Sequence, residues 1–118
     1  HLPRTPRARM SITDALAAFT AAAHPPAGEV TATELYVDEH TLVKGFALGA
    51  GGQLAPHTHG TSTNVFHVVT GTVTVSQGDE TATQTAPAVV VTPPGVPHGL
   101  ENTTDAPAVV TATFAPPP

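Results

Sequence analysis

From residue 30 onward the chain is a series of short runs in which apolar and polar residues alternate. Each run is cut by glycine, proline or an Asx-containing turn. A period of two puts every other side chain on one face of an extended strand. Runs rich in Val and Thr suit a pleated, half-buried surface. The pattern predicts strands over residues 31–37, 41–48, 53–59, 64–69, 72–76, 80–85, 88–92, 97–101 and 107–114. Thirteen prolines and ten glycines supply the turns between them. Nine or ten short strands at hairpin spacing describe a small all-β antiparallel barrel or jelly roll.

The segment before the first strand reads differently. Ser11 can cap a helix whose third position is Asp14, near the positive end of the helix dipole. Ile12, Leu16 and Phe19 then share one face. The helix is expected to run to about residue 23, where His24-Pro25-Pro26 stops it. It is expected to cap an end or a side of the β structure. At 118 residues the chain has room for one core. The expected division is a tail over 1–9 that is added or disordered, a helix and linker over 10–28, a β-barrel over 29–115 and a short tail over 116–118. Met10 is the expected native start.

Chemistry concentrates in two turn-rich segments. In the first, His57 and His59 lie two residues apart. On a strand they point the same way, with Cα atoms about 6.5 Å apart, a spacing at which two imidazoles can share one metal ion. A third histidine, His98, sits in Pro93-Pro94-Gly95-Val96-Pro97-His98-Gly99.

These segments resemble the two motifs of the cupin superfamily. Gly51, His57, His59, Asn64 and Gly71 stand at the spacing of the first, and Pro93, Gly95, His98 and Asn102 at that of the second. Two identities depart. Asn64 stands where cupins usually carry Glu, and Pro87 where they usually carry Gly. The resemblance implies a double-stranded β-helix, the cupin jelly-roll barrel. It also implies one divalent transition metal ion near one end of the interior, held by His57, His59 and His98. Neutral imidazoles suit Fe, Mn, Ni, Cu, Zn or Co.

Asn64 changes the charge of such a site. It offers a carbonyl oxygen but no negative charge, and it is a weaker ligand than carboxylate. Asn64 can be a weak fourth ligand, can hydrogen-bond a bound water, or can stand beside a three-histidine site, the arrangement favoured here. His67 is three residues on, so it faces away from Asn64 unless a β-bulge turns it inward as a fourth ligand. His24 and His40 are expected at the surface. Gly51, Gly71 and Gly95 suit turns with positive φ, and Asn102 suits a turn stabilised by its own side chain. Phe46, Phe66, Val68, Val89, Val91 and Leu100 are the expected inward residues, lining the cavity or the core around it. Glu101 is expected to face solvent.

Charge narrows the partners. After Arg9 the sequence holds one lysine, no arginine and nine acids, a formal net of −8. Such a body cannot neutralise several phosphates, so nucleic acid is not an expected partner. No apolar run is long enough to span a membrane, and no secretory signal is visible. The absence of cysteine excludes disulfides and thiolate ligands. A cytoplasmic location fits. No Ser-His-Asp or paired-carboxylate arrangement is visible. Two classes remain. One is a three-histidine metal-dependent oxygenase, dioxygenase-like, acting on a small anionic substrate that chelates the metal. The other is a non-catalytic cupin that binds or senses a metal or small ligand. A homodimer is expected, because sheet edges need covering.

Overall fold

The computed structural model describes residues 11–118. The expected tail over 1–9 and the start at Met10 lie outside the described residues. One helix, α1 (Ile12–Ala22), precedes nine strands: β1 (Val30–Val37), β2 (Leu42–Leu48), β3 (Gln53–His57), β4 (Thr63–Thr70), β5 (Thr72–Gln77), β6 (Glu80–Thr85), β7 (Ala88–Thr92), β8 (His98–Glu101) and β9 (Ala108–Ala115). Every pair is antiparallel. The strands form a five-stranded sheet, β1-β2-β9-β4-β7, and a four-stranded sheet, β3-β8-β5-β6. The two sheets make the jelly roll.

The helix begins as its sequence dictates. The Ser11 side chain accepts a hydrogen bond from the Asp14 backbone N–H at 3.0 Å, which satisfies one of the orphan donors of the first turn. The helix lies against the outer side of β1 and β2. Gly45 makes the close approach possible: a Cβ there would sit 3.4 Å from the Phe19 ring. Leu16 and Phe19 are half-buried, but Ile12 is exposed.

The inner face of the larger sheet is built in layers by strand register. Leu42, Phe114, Asn64 and Thr92 form one row across β2, β9, β4 and β7. Lys44, Ala112, Phe66 and Val90 form the next, and Phe46, Val110, Val68 and Ala88 the third. Val68 and Val110 are fully buried, and Val73, Val75 and Leu100 close the core from the opposite sheet. Burial of each such side chain contributes about 1.5–3 kcal/mol. No helix among the described residues is long and apolar enough to cross a membrane.

Two expected inward residues face the other way. Val89 is 64% exposed and Val91 56%. Val89 is the register partner of His67, and Val91 of Val65. Strand alternation therefore sends all four to the outer face, while Val90 and Thr92 point in.

Candidate metal centre

The β3–β8 pair carries two of the histidines. His57 and His98 are direct register partners. β3 ends at His57, short of the expected end at residue 59. Its pairing shifts between Leu54 and His57, where Pro56 has no N–H for the ladder. His59 therefore stands on the loop beyond the strand. Its carbonyl accepts a hydrogen bond from the Gly95 N–H at 2.9 Å, which ties the loop to the turn leading to His98. Gly95 has φ 82° there, and Gly51 and Gly71 have φ 78° and 79°. At Gly71 any Cβ would also meet the Pro107 carbonyl at 2.7 Å.

The three imidazoles converge. Their ring centroids are 4.6 Å apart for His57–His98, 4.7 Å for His57–His59 and 5.4 Å for His59–His98. One nitrogen from each falls within a group no wider than 4.8 Å. His57 Nδ1 lies 3.0 Å from the Ala55 carbonyl, and His98 Nδ1 3.0 Å from the Val96 carbonyl. A carbonyl only accepts, so both Nδ1 atoms carry the proton and both Nε2 atoms keep a free lone pair. This backbone support orients the rings as metal-ligating histidines are oriented. His59 Nε2 and His98 Nε2 are buried without a hydrogen-bond partner, and buried polar atoms in that state are costly. The donor set therefore fits a divalent transition metal ion.

Electrostatics keeps these groups ready. Burial pushes the His98 imidazole below its ordinary pKa. The Val96 carbonyl opposes the shift, and the neighbouring His57 adds to it. Burial lowers His59 too, reinforced by His57 and His98. Both favour the neutral form that binds metal.

Asn64 is fully buried on the inner face of β4, and neither amide atom has a partner. Its register partner Phe114 packs edge-on against His59, with centroids 5.1 Å apart. The side chain thus belongs to the same end of the interior as the histidines. His67 lies on the opposite face, opposite Thr111 and Val89. His24 and His40 are outside the cluster, and Glu101 is exposed, as expected.

A cavity of about 280 Å³ opens beside the histidines. Phe46 and Phe66 line it, with Leu42, Leu54 and Phe114. Val68 and Leu100 are packed in the core. Lys44 also lines the cavity, a residue that sequence reasoning passed over. Its signal is parity: it lies two residues from both Leu42 and Phe46, which face inward. Gln77 is a second such residue. It is the partner of His98 on β5, and its amide donates to the Val91 carbonyl at 2.9 Å and to Thr92 Oγ1 at 2.7 Å, joining the two sheets.

Asn102 closes the second segment. Its amide nitrogen donates to the carbonyls of Leu48 and Ala106 at 3.1 and 2.7 Å. Its oxygen accepts from Thr104 N–H and Oγ1 at 3.0 and 2.7 Å.

Comparison with known proteins agrees with this geometry. A family model described as a cupin domain matches residues 46–114. Among solved structures, the protein TT1209 from Thermus thermophilus is similar at 27% identity and a TM-score of 0.78, over 85% of this chain and 95% of that one. An uncharacterised double-stranded β-helix protein from Klebsiella pneumoniae is similar at 21% identity and a TM-score of 0.74, covering 82% and 85%. A predicted oxalate decarboxylase from Thermotoga maritima aligns at 20% identity and a TM-score of 0.72, covering 76% and 83%. No curated protein matches the chain.

Proposed function

This chain belongs to the cupin-domain family, and on that premise we propose that it is a three-histidine, metal-dependent oxygenase for a small anionic substrate that chelates the metal. One observation carries the reading: three imidazoles converge within 4.8 Å, with two buried Nε2 atoms that no protein group satisfies.

His57, His59 and His98 are the ligands in this reading, with Asn64 beside them. A divalent ion held there supplies Lewis acidity and, for a redox-active ion, a route to O₂. The protein does the rest. The Ala55 and Val96 carbonyls fix the ring tautomers of His57 and His98. Asn64 brings no charge, so the ion's full charge is available to an anionic substrate. The largely apolar cavity walls lower the local dielectric and strengthen that attraction. The similarity to a predicted oxalate decarboxylase agrees with a small chelating anion as ligand.

The competing reading is a cupin that binds a metal or small ligand without turning it over. It draws on the cavity lining, which among the described residues holds no carboxylate side chain to act as general base. Metal analysis of protein purified without added metal, followed by an oxygen-uptake screen of diketones, thiols and flavonoids with Fe(II), separates the two. Uptake abolished in His98→Ala supports the oxygenase. Metal retained without turnover across the screen supports the binding protein.

We further propose that two copies pair through the larger sheet. Its edge strand β7 exposes Val89 and Val91 on the outer face, next to Val65 and His67. An uncovered apolar edge of this kind favours association.

A further inference from the structure

After Arg9 the chain has one basic side chain besides histidine, Lys44, and the fold turns it into the cavity. A lysine ordinarily stands in solvent. Lys44 is half-buried, and its ammonium lies 5.6 Å from the centroid of the Phe46 ring, within cation–π range. No carboxylate lies within 4.0 Å of it among the described residues, where the one ion pair is His40 with Glu39. The nearest acid by register is Glu34, its cross-strand partner on β1, which is exposed. No acidic side chain among the described residues lines the cavity, whose wall also includes Pro118.

Position gives this charge a meaning. Lys44 belongs to the row Lys44–Ala112–Phe66, one step from the row that holds Phe114 and Asn64. Phe66 stacks near His98, with centroids 5.7 Å apart, and Phe114 near His59. Ala112, the small residue between Lys44 and Phe66, leaves the space above it open. The cavity thus has a metal-binding pole and an ammonium pole. They are separated by an apolar floor one or two strands wide, about 5–10 Å.

We propose that Lys44 is a specificity-determining residue for a small dianion. One anionic group binds at the three-histidine end, and a second, a carboxylate, pairs with the Lys44 ammonium. A short apolar spacer lies on Ala112 between Phe66 and Phe114. The proposal rests on the metal-site reading above and adds the substrate class: a dicarboxylate rather than a monoanion. Asn64 and Lys44 act in the same direction. The first withholds a negative charge from one pole, and the second places a positive charge at the other.

Lys44 is the only lysine in the sequence, so its side-chain ¹³Cε resonance is a single-site reporter. Zn(II)-loaded, ¹³C-lysine-labelled protein is titrated with glutarate and adipate, and with pentanoate and hexanoate as matched monoanions. The expected result is a shift of the Lys44 resonance by the diacids. They also bind about tenfold tighter than the monoacids, the worth of one charge-assisted pair. In Lys44→Met that preference disappears while Zn(II) affinity is unchanged. A preference that survives Lys44→Met, or a resonance that does not move at saturating diacid, overturns the proposal and leaves the metal site intact. A resonance that moves with Glu34→Gln but not with either diacid also overturns it, assigning Lys44 to Glu34. If the wild type binds no Zn(II), the three-histidine reading falls, and the dianion site falls with it.

Discussion

His57 and His98 face each other as register partners across the β3–β8 pair, and each donates Nδ1–H to a backbone carbonyl two residues earlier. The pairing makes the three-histidine cluster a property of the sheet. The two segments that supply the histidines are also locked by the Gly95 N–H on the His59 carbonyl. A site placed by strand register is preorganised, so ligand binding costs little reordering.

Removing one of the three histidines should separate metal binding from folding. His57 is half-buried, so His57→Ala should leave the melting temperature of the metal-free protein close to wild type. Its Zn(II) affinity should fall at least about a hundredfold, beyond the 10–100-fold typical of losing an outer-shell partner. His98 is buried against Phe66, so His98→Ala should lower both. In wild type, Zn(II) at a hundred times its Kd should add about 2.7 kcal/mol of stability. Metal-buffered titration and denaturant melts measure these quantities. A His57→Ala protein that still binds Zn(II) like wild type sinks the three-histidine site.

Asn64 holds an unpaired amide in the interior. A buried amide with neither atom satisfied costs about 1–3 kcal/mol. Replacing it with Leu, of similar size and apolar, should therefore stabilise the metal-free protein by about 1–2 kcal/mol in urea unfolding. The same variant should leave diacid affinity in the metal-loaded state close to wild type, because leucine also brings no charge, whereas Asn64→Asp should weaken it. A destabilised Asn64→Leu would mean that the amide has partners in solution.

Most of the fold was legible in sequence because half-buried strands alternate. Every predicted strand is present within a residue or two, and the predicted helix cap is made by Ser11. The failures have physical causes. Residues 88–91 are apolar at four successive positions, so that run carries no phase, and only pairing with β4 sends Val89 and Val91 outward. The early end of β3 comes from its shifted pairing with β8 around Pro56, whose missing N–H leaves the alternation of side chains unchanged. The convergence of His98 with the other two histidines is a long-range register effect, and sequence reached it through motif resemblance. Lys44 is visible in parity, but a lysine's ordinary place in solvent hides it.

Acid should destabilise the metal-free protein through its histidines. His59 and His98 are held below their ordinary pKa, chiefly by burial. The unfolded chain therefore takes up protons at a higher pH than the folded one. Stability from these groups is complete well above the unfolded value of about 6.5 and declines as the pH falls below it, until the folded groups also protonate. Melts of metal-free protein between about pH 8 and pH 5 should show this decline. It should be smaller in a variant carrying His59→Gln and His98→Gln. A flat profile over that range would contradict the burial of these rings.

The outer face of β7 gives a test of association. Changing Val89 and Val91 together to Lys places two charges on an exposed apolar edge. Analytical ultracentrifugation should then find a monomer where the wild type sediments as a dimer. Folding should be intact, since both positions point to solvent. A wild type that sediments as a monomer removes the proposed pairing.

Asn102 should be the most costly polar residue to remove. Its side chain makes four hydrogen bonds while fully buried, and one reaches Leu48 across 54 residues of chain. Its backbone also joins the turn before β3: Asn102 N–H donates to the Gly52 carbonyl, and its own carbonyl accepts from the Gly51 N–H. Asn102→Ala removes the side-chain donor from the buried Leu48 carbonyl and the acceptor from the Thr104 N–H, at about 1–3 kcal/mol for each buried group left unpaired, while the Ala106 carbonyl keeps the Thr104 hydroxyl at 3.0 Å. The expected loss is about 3 kcal/mol in urea unfolding, a large share of the stability of a domain this size. Asn102→Asp keeps the acceptor for Thr104 but turns a carboxylate oxygen toward two carbonyls, so it should be no better than Ala. Because the turn holds β8 in register with β3, both variants should also weaken Zn(II) binding, although Asn102 touches none of the histidines. A variant that loses stability but keeps full Zn(II) affinity when folded would show that the metal site is set by β3 and β8 alone.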